Sequence, residues 1–118
     1  MESQTSLDYL IETEDFLGKF AKALERDDEG RKHTFEILAA LCVYSKEGYN
    51  RAVGVLEHHK NTKKKKYRFS LVVDELRATD NVHYKIILLE FINCLIIYTD
   101  KAENRIRIRN EFFSKYLF

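Results

Sequence analysis

Proline is absent from the 118-residue chain, and glycine occurs only four times. Folds rich in β-turns depend on these two residues to reverse the chain, so their scarcity argues against an all-β or loop-rich fold. Hydrophobic residues make up 45% of the chain and charged residues 33%, which is typical of a globular helical domain. At this length we expect one domain or a part of one.

An excess of charge is also lacking, because 20 basic residues face 19 acidic ones. The composition therefore gives no reason to expect a nucleic-acid partner. The longest apolar run, residues 86–98, contains Glu90 and Asn93 and is too short and too polar to span a bilayer. The acidic N-terminus has no hydrophobic segment of the kind found in signal peptides. We expect a soluble chain without a membrane span.

Residue patterns for catalysis or metal binding are scarce. Cys42 and Cys94 lie in apolar segments without a CxxC motif, so we interpret them as buried, reduced thiols. No cysteine and histidine spacing suits zinc, and no nucleophile stands in a recognisable pattern with a histidine and an acid. The glycines are scattered and form no phosphate-binding loop. The sequence predicts a protein that is not an enzyme and has no cofactor or metal.

Apolar residues recur at helical spacing along most of the chain. The pattern predicts helices over residues 6–12, 14–25, 29–44, 47–60, 70–78, 81–98 and 101–116. Capping residues stand at the breaks: Asp28 before the third helix, Ser45 before the fourth, and Thr99 or Asp100 before the last. The predicted fold class is all-α.

A weak internal repeat relates the two halves of the chain. At an offset of 52 or 53 residues it pairs Phe16–Leu24 with Phe69–Leu76, Asp28 with Asp80, and Cys42 with Cys94. Each unit is a short amphipathic helix, a polar break and a long apolar helix. Such a unit buries its long helix only by stacking against a copy, as in an α-solenoid. We predict about two repeats plus a following helix, taken from a longer array.

The long apolar helix near residue 90 has one polar stripe. Glu90 and Asn93 share a face with Ile86 and Ile97. Burying a carboxylate without a partner is costly, so we expect Glu90 to face water, a cation or a ligand. The alternatives are that it forms a hydrogen bond inside the array or simply projects at a rim. The first interpretation predicts a helix that buries three sides and keeps the fourth for a partner.

The earlier long helix has a comparable stripe. Ile37, Ala40 and Val43 or Tyr44 fall on one side of it, and the small residues Ala39 and Ala40 allow another backbone to come close.

The only run of like charges is a basic one, formed by Lys63, Lys64, Lys65 and Lys66. Such a run attracts anionic lipid or an acidic partner, which makes peripheral membrane contact one interpretation. The alternative is a solvated helix end or loop without a binding role. Four lysines with few aromatic neighbours make a weak basic patch, so this second interpretation is the simpler one.

Four segments together resemble the formin homology-3 region of diaphanous-related formins, and are most similar to the inverted-formin branch. These segments are EILAALCVYSKEGYNRAVGVLEHHK, YRFSLVVDEL, LLEFINCLI and RIRIRNEF. The resemblance extends over about residues 7–112. It implies an armadillo-like array, the diaphanous inhibitory domain, and we expect residues 1–118 to be part of one such domain.

The resemblance also implies a function. In the family, the third helix of each repeat lines a groove that receives an amphipathic helix from the formin's C-terminal autoregulatory segment. Rho-type GTPases bind overlapping N-terminal surfaces and release this inhibition, so that actin assembly proceeds in the cytoplasm at the cytoskeleton. Carried over by position, the groove residues are Ile37, Ala40, Val43, Tyr44, Glu90 and Asn93.

The chain departs from the family pattern at both ends. The family's GTPase-binding segment and first repeat would precede this region, and the Leu-Gly-Leu continuation after Phe112 is replaced by residues 113–118. We therefore do not expect GTPase binding by this chain alone, and we expect contact with actin only through domains outside it. The alternative function is a helical-repeat interaction scaffold with an unrelated partner.

Overall fold

A computed structural model describes residues 4–112, with side chains from Ser6 onwards. The chain forms helices α1 (Gln4–Ile11), α2 (Phe16–Leu24), α3 (Asp28–Tyr44), α4 (Lys46–Thr62), α5 (Ser70–Ala78), α6 (Val82–Ile97) and α7 (Ala102–Glu111). This confirms the all-α prediction, and α5 has the predicted bounds. The predicted continuation of the last helix to residue 116 lies outside the described residues.

The two long central helices begin at side-chain caps. Asp27 adopts an extended backbone and accepts a hydrogen bond from the Gly30 N–H at 2.9 Å, so it caps α3. The predicted cap, Asp28, is wrong by one residue. Asp28 lies in the first turn of α3, where the positive end of the helix dipole stabilises its negative charge. Asn81 caps α6 by accepting from the Tyr84 N–H at 3.0 Å.

The remaining predicted caps divide into one that is confirmed and one that is wrong. Ser45 caps α4 as predicted and accepts from the Gly48 N–H at 2.9 Å. A β-carbon at Gly48 would lie 2.2 Å from the Leu41 carbonyl oxygen, so only glycine fits where α4 begins against α3. The residue before α7 is Lys101, which makes no side-chain cap, so the predicted cap at Thr99 or Asp100 is wrong.

The core lies between α3 and α6 and the helices that flank them. Phe35 of α3 is fully buried, with its ring centroid 5.7 Å from that of Phe91 and 6.3 Å from that of Tyr84, both on α6. At the other side of the molecule, the rings of Phe69 and Phe112 stack at 4.7 Å and attach α7 to the start of α5. Burial of these large side chains supplies most of the driving force for folding.

The two long helices α3 and α6 run side by side in the same direction. Arg31, in the first turn of α3, and Tyr84, in the first turn of α6, both bond to one oxygen of Glu75. Further along, Cys42 of α3 lies close enough to Cys94 of α6 to raise its pKa. Helices α1–α3 and α4–α6 thus form two three-helix units followed by α7, which is the predicted armadillo-like arrangement.

Candidate functional site

Helix α6 exposes a row of apolar side chains. The exposed fractions are 68% for Val82, 48% for Ile86, 49% for Leu89, 56% for Ile97 and 45% for Tyr98. All but Tyr98, which follows the helix, recur at the spacing of one helical face. The opposite face carries Tyr84, Leu88, Phe91 and Leu95, all buried in the core. Helix α6 is therefore apolar on both sides but is covered on only one of them.

Two polar residues of α6, Glu90 and Asn93, lie within this exposed row. Glu90 and Asn93 are both exposed, so the interpretation in which Glu90 is buried inside the array is wrong. Burial raises the pKa of the neighbouring Cys94 thiol, and the Glu90 carboxylate raises it further. The row thus combines apolar contact area with one negative charge and one amide.

Helix α3 turns a smaller and more polar face outward. Glu36 is exposed and Val43 is 52% exposed, whereas Ala40, Ile37 and Tyr44 are half-buried. The opposite face carries Phe35, Leu38, Leu41 and Cys42, all buried. Because alanine has no bulk beyond its β-carbon, the α3 backbone is accessible at position 40.

Helix geometry relates the outward faces of α3 and α6 to each other. Successive residues of an α-helix are rotated by about 100° about its axis. Viewed along the two helix axes, the exposed row of α3 is rotated in one direction from Phe35, and the exposed row of α6 is rotated in the opposite direction from Phe91. Since these two rings are in contact and the helices run in the same direction, we infer that both rows border one groove. We define the α3–α6 groove by Ile37, Ala40, Val43, Tyr44, Ile86, Leu89, Glu90, Asn93 and Ile97.

The six residues predicted from the sequence are exposed or half-buried on α3 and α6, and their shared role in binding stays a prediction. Sequence reasoning noticed Ile86 and Ile97 on the stripe without including them in the site, and it missed Leu89. The signal was present, because Leu89 stands three residues after Ile86 and four before Asn93. In a helix that is apolar all round, however, spacing alone does not tell a buried leucine from an exposed one.

Helix α1 borders the groove near the end of α3. The hydroxyl of Tyr44 donates a hydrogen bond to the Asp8 carboxylate on α1. This bond, together with burial and the Asp8 charge, raises the pKa of Tyr44 to about 12, so the phenol is neutral at physiological pH. The contact joins residues 36 positions apart and has no local sequence signal.

Ile37 also lines a cleft between α2 and α3. A cleft of about 490 Å³ separates α2 from α3 and is lined by apolar side chains including Phe20, Ala23 and Ile37, with His33 and Lys19 at its rim. The cleft lies beside the α3–α6 groove and shares Ile37 with it. Ile37 therefore contributes to this cleft, which the sequence stripe did not indicate.

The lysine run lies at the end of α4 and in the loop after it. Lys63 pairs with Glu25 at 3.1 Å and Lys65 with Asp74 at 3.7 Å, while the Lys66 ammonium lies 5.5 Å from the centre of the Tyr67 ring. These partners already neutralise part of the charge that an anionic membrane would attract. Membrane contact through Lys63–Lys66 stays a prediction, which co-sedimentation with anionic liposomes at low and high salt would test.

Neither a membrane span nor a metal cluster is present between residues 4 and 112. No helix in that range is long and apolar enough to cross a bilayer. No group of three or more His, Cys, Asp and Glu side chains in the same range could hold a metal ion. A polar cleft of about 410 Å³ between α4 and α7 is lined in part by Arg68, which pairs with Glu111 at 3.3 Å and with Glu57 at 3.7 Å.

Comparisons with known proteins found a matching family model and similar relatives. Residues 50–117 match the family model described as the Diaphanous FH3 Domain. The chain is 40% identical to Inverted formin-2 of Xenopus laevis over 118 residues, which cover 99% of the chain and 11% of that protein. Inverted formin-2 of Xenopus tropicalis is 39% identical over 118 residues, covering 99% of the chain and 9% of that protein.

A more distant similarity reaches a human protein. Protein diaphanous homolog 3 of Homo sapiens is 28% identical over 113 residues, which cover 95% of this chain and 9% of that protein. The chain thus spans about a tenth of the length of these relatives. No solved structure matches the chain.

Proposed function

This chain belongs to the diaphanous FH3 family of formins, and on that premise we propose that it is a regulatory module that binds a formin's autoregulatory helix in the α3–α6 groove. The identities of 40% and 39% with the two Inverted formin-2 proteins confirm the resemblance to the inverted-formin branch. The observation that carries the proposal is the row of exposed apolar side chains on α6, beside the small residues of α3.

The shape of the groove suits an incoming amphipathic helix. Contiguous exposed apolar area on a folded domain commonly marks a protein-binding surface. Leucines spaced three and four residues apart on the incoming helix would pack on Ile86 and Leu89, because recognition of this kind reads one helical face. Ala40 leaves room for that helix, and Asn93 offers an amide to its polar edge.

The charge of the groove indicates which guest helix it favours. Glu90 and Glu36 are both exposed on its outward rows, and none of the residues that define the groove is basic. We therefore propose that the guest helix carries lysine or arginine beside its leucines. Attraction of this kind is weakened by salt, since exposed charges are screened.

The role of the module in the whole protein follows from the family. We propose that groove occupancy holds a formin's actin-assembling domain inactive in the cytoplasm, and that a Rho-type GTPase reverses this state. The GTPase contact would need segments outside this chain, so we do not assign it to these residues. A helical-repeat scaffold with an unrelated partner is the competing function.

The substitution Ala40→Asp tests the proposal. A carboxylate at this half-buried position adds bulk and charge to the groove floor, so we expect it to abolish binding of a leucine-rich, basic amphipathic peptide. Peptide titration measures the affinity, and circular dichroism verifies that the helical content is unchanged. The matched control is Ala21→Asp on α2, a half-buried alanine outside the groove, which should leave the affinity intact.

Two results would contradict the proposal at different points. Unchanged affinity in Ala40→Asp would remove Ala40 from the site. A wild-type chain that binds no peptide of this class would leave the unrelated scaffold as the better account.

A further inference from the structure

Three polar side chains from three helices meet at one end of the α3–α6 groove. Arg31 of α3 donates from Nε to Oε1 of Glu75 on α5 at 2.8 Å. The hydroxyl of Tyr84 on α6 donates to the same Oε1 at 2.7 Å. The Glu75 oxygen therefore lies between the first turn of α3 and the first turn of α6.

The Arg31 guanidinium is held from further directions. Its NH1 group donates to the carbonyl oxygen of Arg26, just after α2, at 2.8 Å, and its NH2 group pairs with the Asp28 carboxylate. The exposed fractions of the Arg31 and Glu75 side chains are 25% and 21%, so water only partly screens their pairing. Charge-assisted bonds between partly buried groups are stronger than exposed surface pairs.

The opposite end of the groove is attached differently. There the Tyr44 hydroxyl bonds α3 to Asp8 of α1, and the Tyr49 hydroxyl of α4 donates to the Leu95 carbonyl of α6 at 2.6 Å. These bonds fix α3 and α6 to separate helices. The bonds of Glu75, in contrast, link the two groove helices through a single atom.

We propose that Arg31, Glu75 and Tyr84 are positioning residues that set the separation of α3 and α6 where both helices begin. The side chains make the groove narrow and fixed at that end, and so determine how closely a guest helix fits. The effect on guest affinity rests on the proposed function, whereas the effect on helix separation does not.

Arg31 and Tyr84 both keep their protons near neutral pH. Burial lowers the pKa of Arg31, but its interactions with Glu75 and Tyr84 raise it more, so its pKa lies above the usual value. Burial and the bond to Glu75 raise the pKa of Tyr84. The Arg31 donors and the Tyr84 hydroxyl therefore stay available to the Glu75 oxygen across the physiological range.

The affinity test uses Arg31→Met, which keeps much of the side-chain length and removes the donors. We expect it to weaken binding of the leucine-rich, basic peptide by about tenfold, the size typical of changes that act through a packed network. Arg31→Lys retains the charge but not the planar fork, so an intermediate loss is expected.

The matched control is Arg68→Met. Arg68 also bridges helices through acids, Glu57 and Glu111, but it lies away from the groove. We expect this variant to lose stability comparably and to keep its affinity for the peptide. An equal loss of affinity in both arginine variants would overturn the positioning role and indicate general destabilisation.

A second measurement reads the helix separation without a guest. A nitroxide on a cysteine introduced at exposed His33 of α3 broadens nearby amide signals of Val82–Lys85 at the start of α6. The native thiols of Cys42 and Cys94 have raised pKa values, so the introduced cysteine is labelled first at pH 7. The α2 amides near Lys19, which lines a cleft together with His33, serve as the internal reference.

We expect Arg31→Met to reduce the broadening of the α6 amides relative to the reference. Unchanged broadening would overturn the proposal, whatever the peptide titration shows. Reduced broadening in a chain that binds no peptide would support the positioning role and contradict the proposed function, so the two failures are distinguishable.

Discussion

Helices α3 and α6 occupy equivalent places in successive units, yet their outward faces differ. Both bury one face in the shared core and run in the same direction. Towards solvent, α6 shows large apolar side chains such as Ile86 and Leu89, whereas α3 shows Glu36, the small Ala40 and the shorter Val43. The repeat thus preserves the packing of the long helix and varies the residues that face outward.

This difference suggests a division of roles within the groove. A guest helix would gain most of its apolar contact from α6, while α3 would allow close approach and limit its position. Because a helix-shaped guest has only one apolar face, a groove with unequal walls also favours one rotational setting of that guest. If α3 and α6 share a core and differ only in their outward faces, substitutions in the core should affect stability, and substitutions on the outward faces should affect peptide binding.

The largest effect is expected at the shared core. Phe35→Ala removes a fully buried ring that contacts Phe91, so we expect it to lower the free energy of unfolding by about 3–5 kcal/mol. Urea denaturation followed by circular dichroism measures this loss. Ile97→Ala, at a side chain that is 56% exposed, is the control and should change stability by less than about 0.5 kcal/mol. Similar small losses in both variants would mean that α3 and α6 do not share a core.

A smaller effect distinguishes the two outward faces. Burial of one methylene contributes about 0.8 kcal/mol of binding free energy, and both side chains are already half-buried without the peptide. Leu89→Ala on α6 should therefore weaken peptide binding roughly eightfold, and Val43→Ala on α3 should weaken it roughly fourfold. Calorimetric titration of one peptide against both variants gives the ratio. A larger loss at Val43 would reverse the assigned roles of the two helices.

The smallest effect concerns the cysteines that occupy corresponding places on α3 and α6. Burial, and then Cys94, raise the pKa of the Cys42 thiol to about 12, which leaves almost no thiolate at pH 8. Burial and Glu90 also raise the pKa of Cys94, but this side chain is only half-buried. We expect an aromatic disulfide reagent to modify Cys94 slowly in the folded chain and Cys42 only after unfolding. Rapid reaction of Cys42 would show that its surroundings are open.

The same shift predicts how stability changes with pH. Because the folded pKa of Cys42 is raised above its ordinary value of 9.0, the thiol contributes stability that is present below pH 9 and is lost as the pH rises towards 12. Thermal melts between pH 8 and pH 11 would record this as a falling midpoint. A Cys42→Ala variant should show a shallower decline than the wild type.

Local features were well predicted where the sequence itself holds the signal. The Ser45 cap was predicted because a capping residue separates two apolar patterns. Helix α5 begins after Phe69 without a side-chain cap, so its bounds were predicted from its apolar pattern and the polar break that follows it. The Asp28 cap was wrong because adjacent aspartates compete for the same role, and only the extended backbone of Asp27 decides between them. Lys101 precedes α7 and makes no side-chain cap, so no capping residue in the sequence marks the start of this helix.

The sequence by itself determined that the chain is helical, that it repeats, and that the second of its two long apolar helices carries polar interruptions on one stripe, because periodicity is a local property. Only the tertiary structure decided which side of α6 is covered, since a helix that is apolar all round has no preferred inner face until its neighbours are placed. Tertiary structure also placed Glu75 between Arg31 and Tyr84. Glu75 lies 44 residues after Arg31 and nine residues before Tyr84 in the sequence. Such contacts depend on how helices stack, which no local pattern encodes.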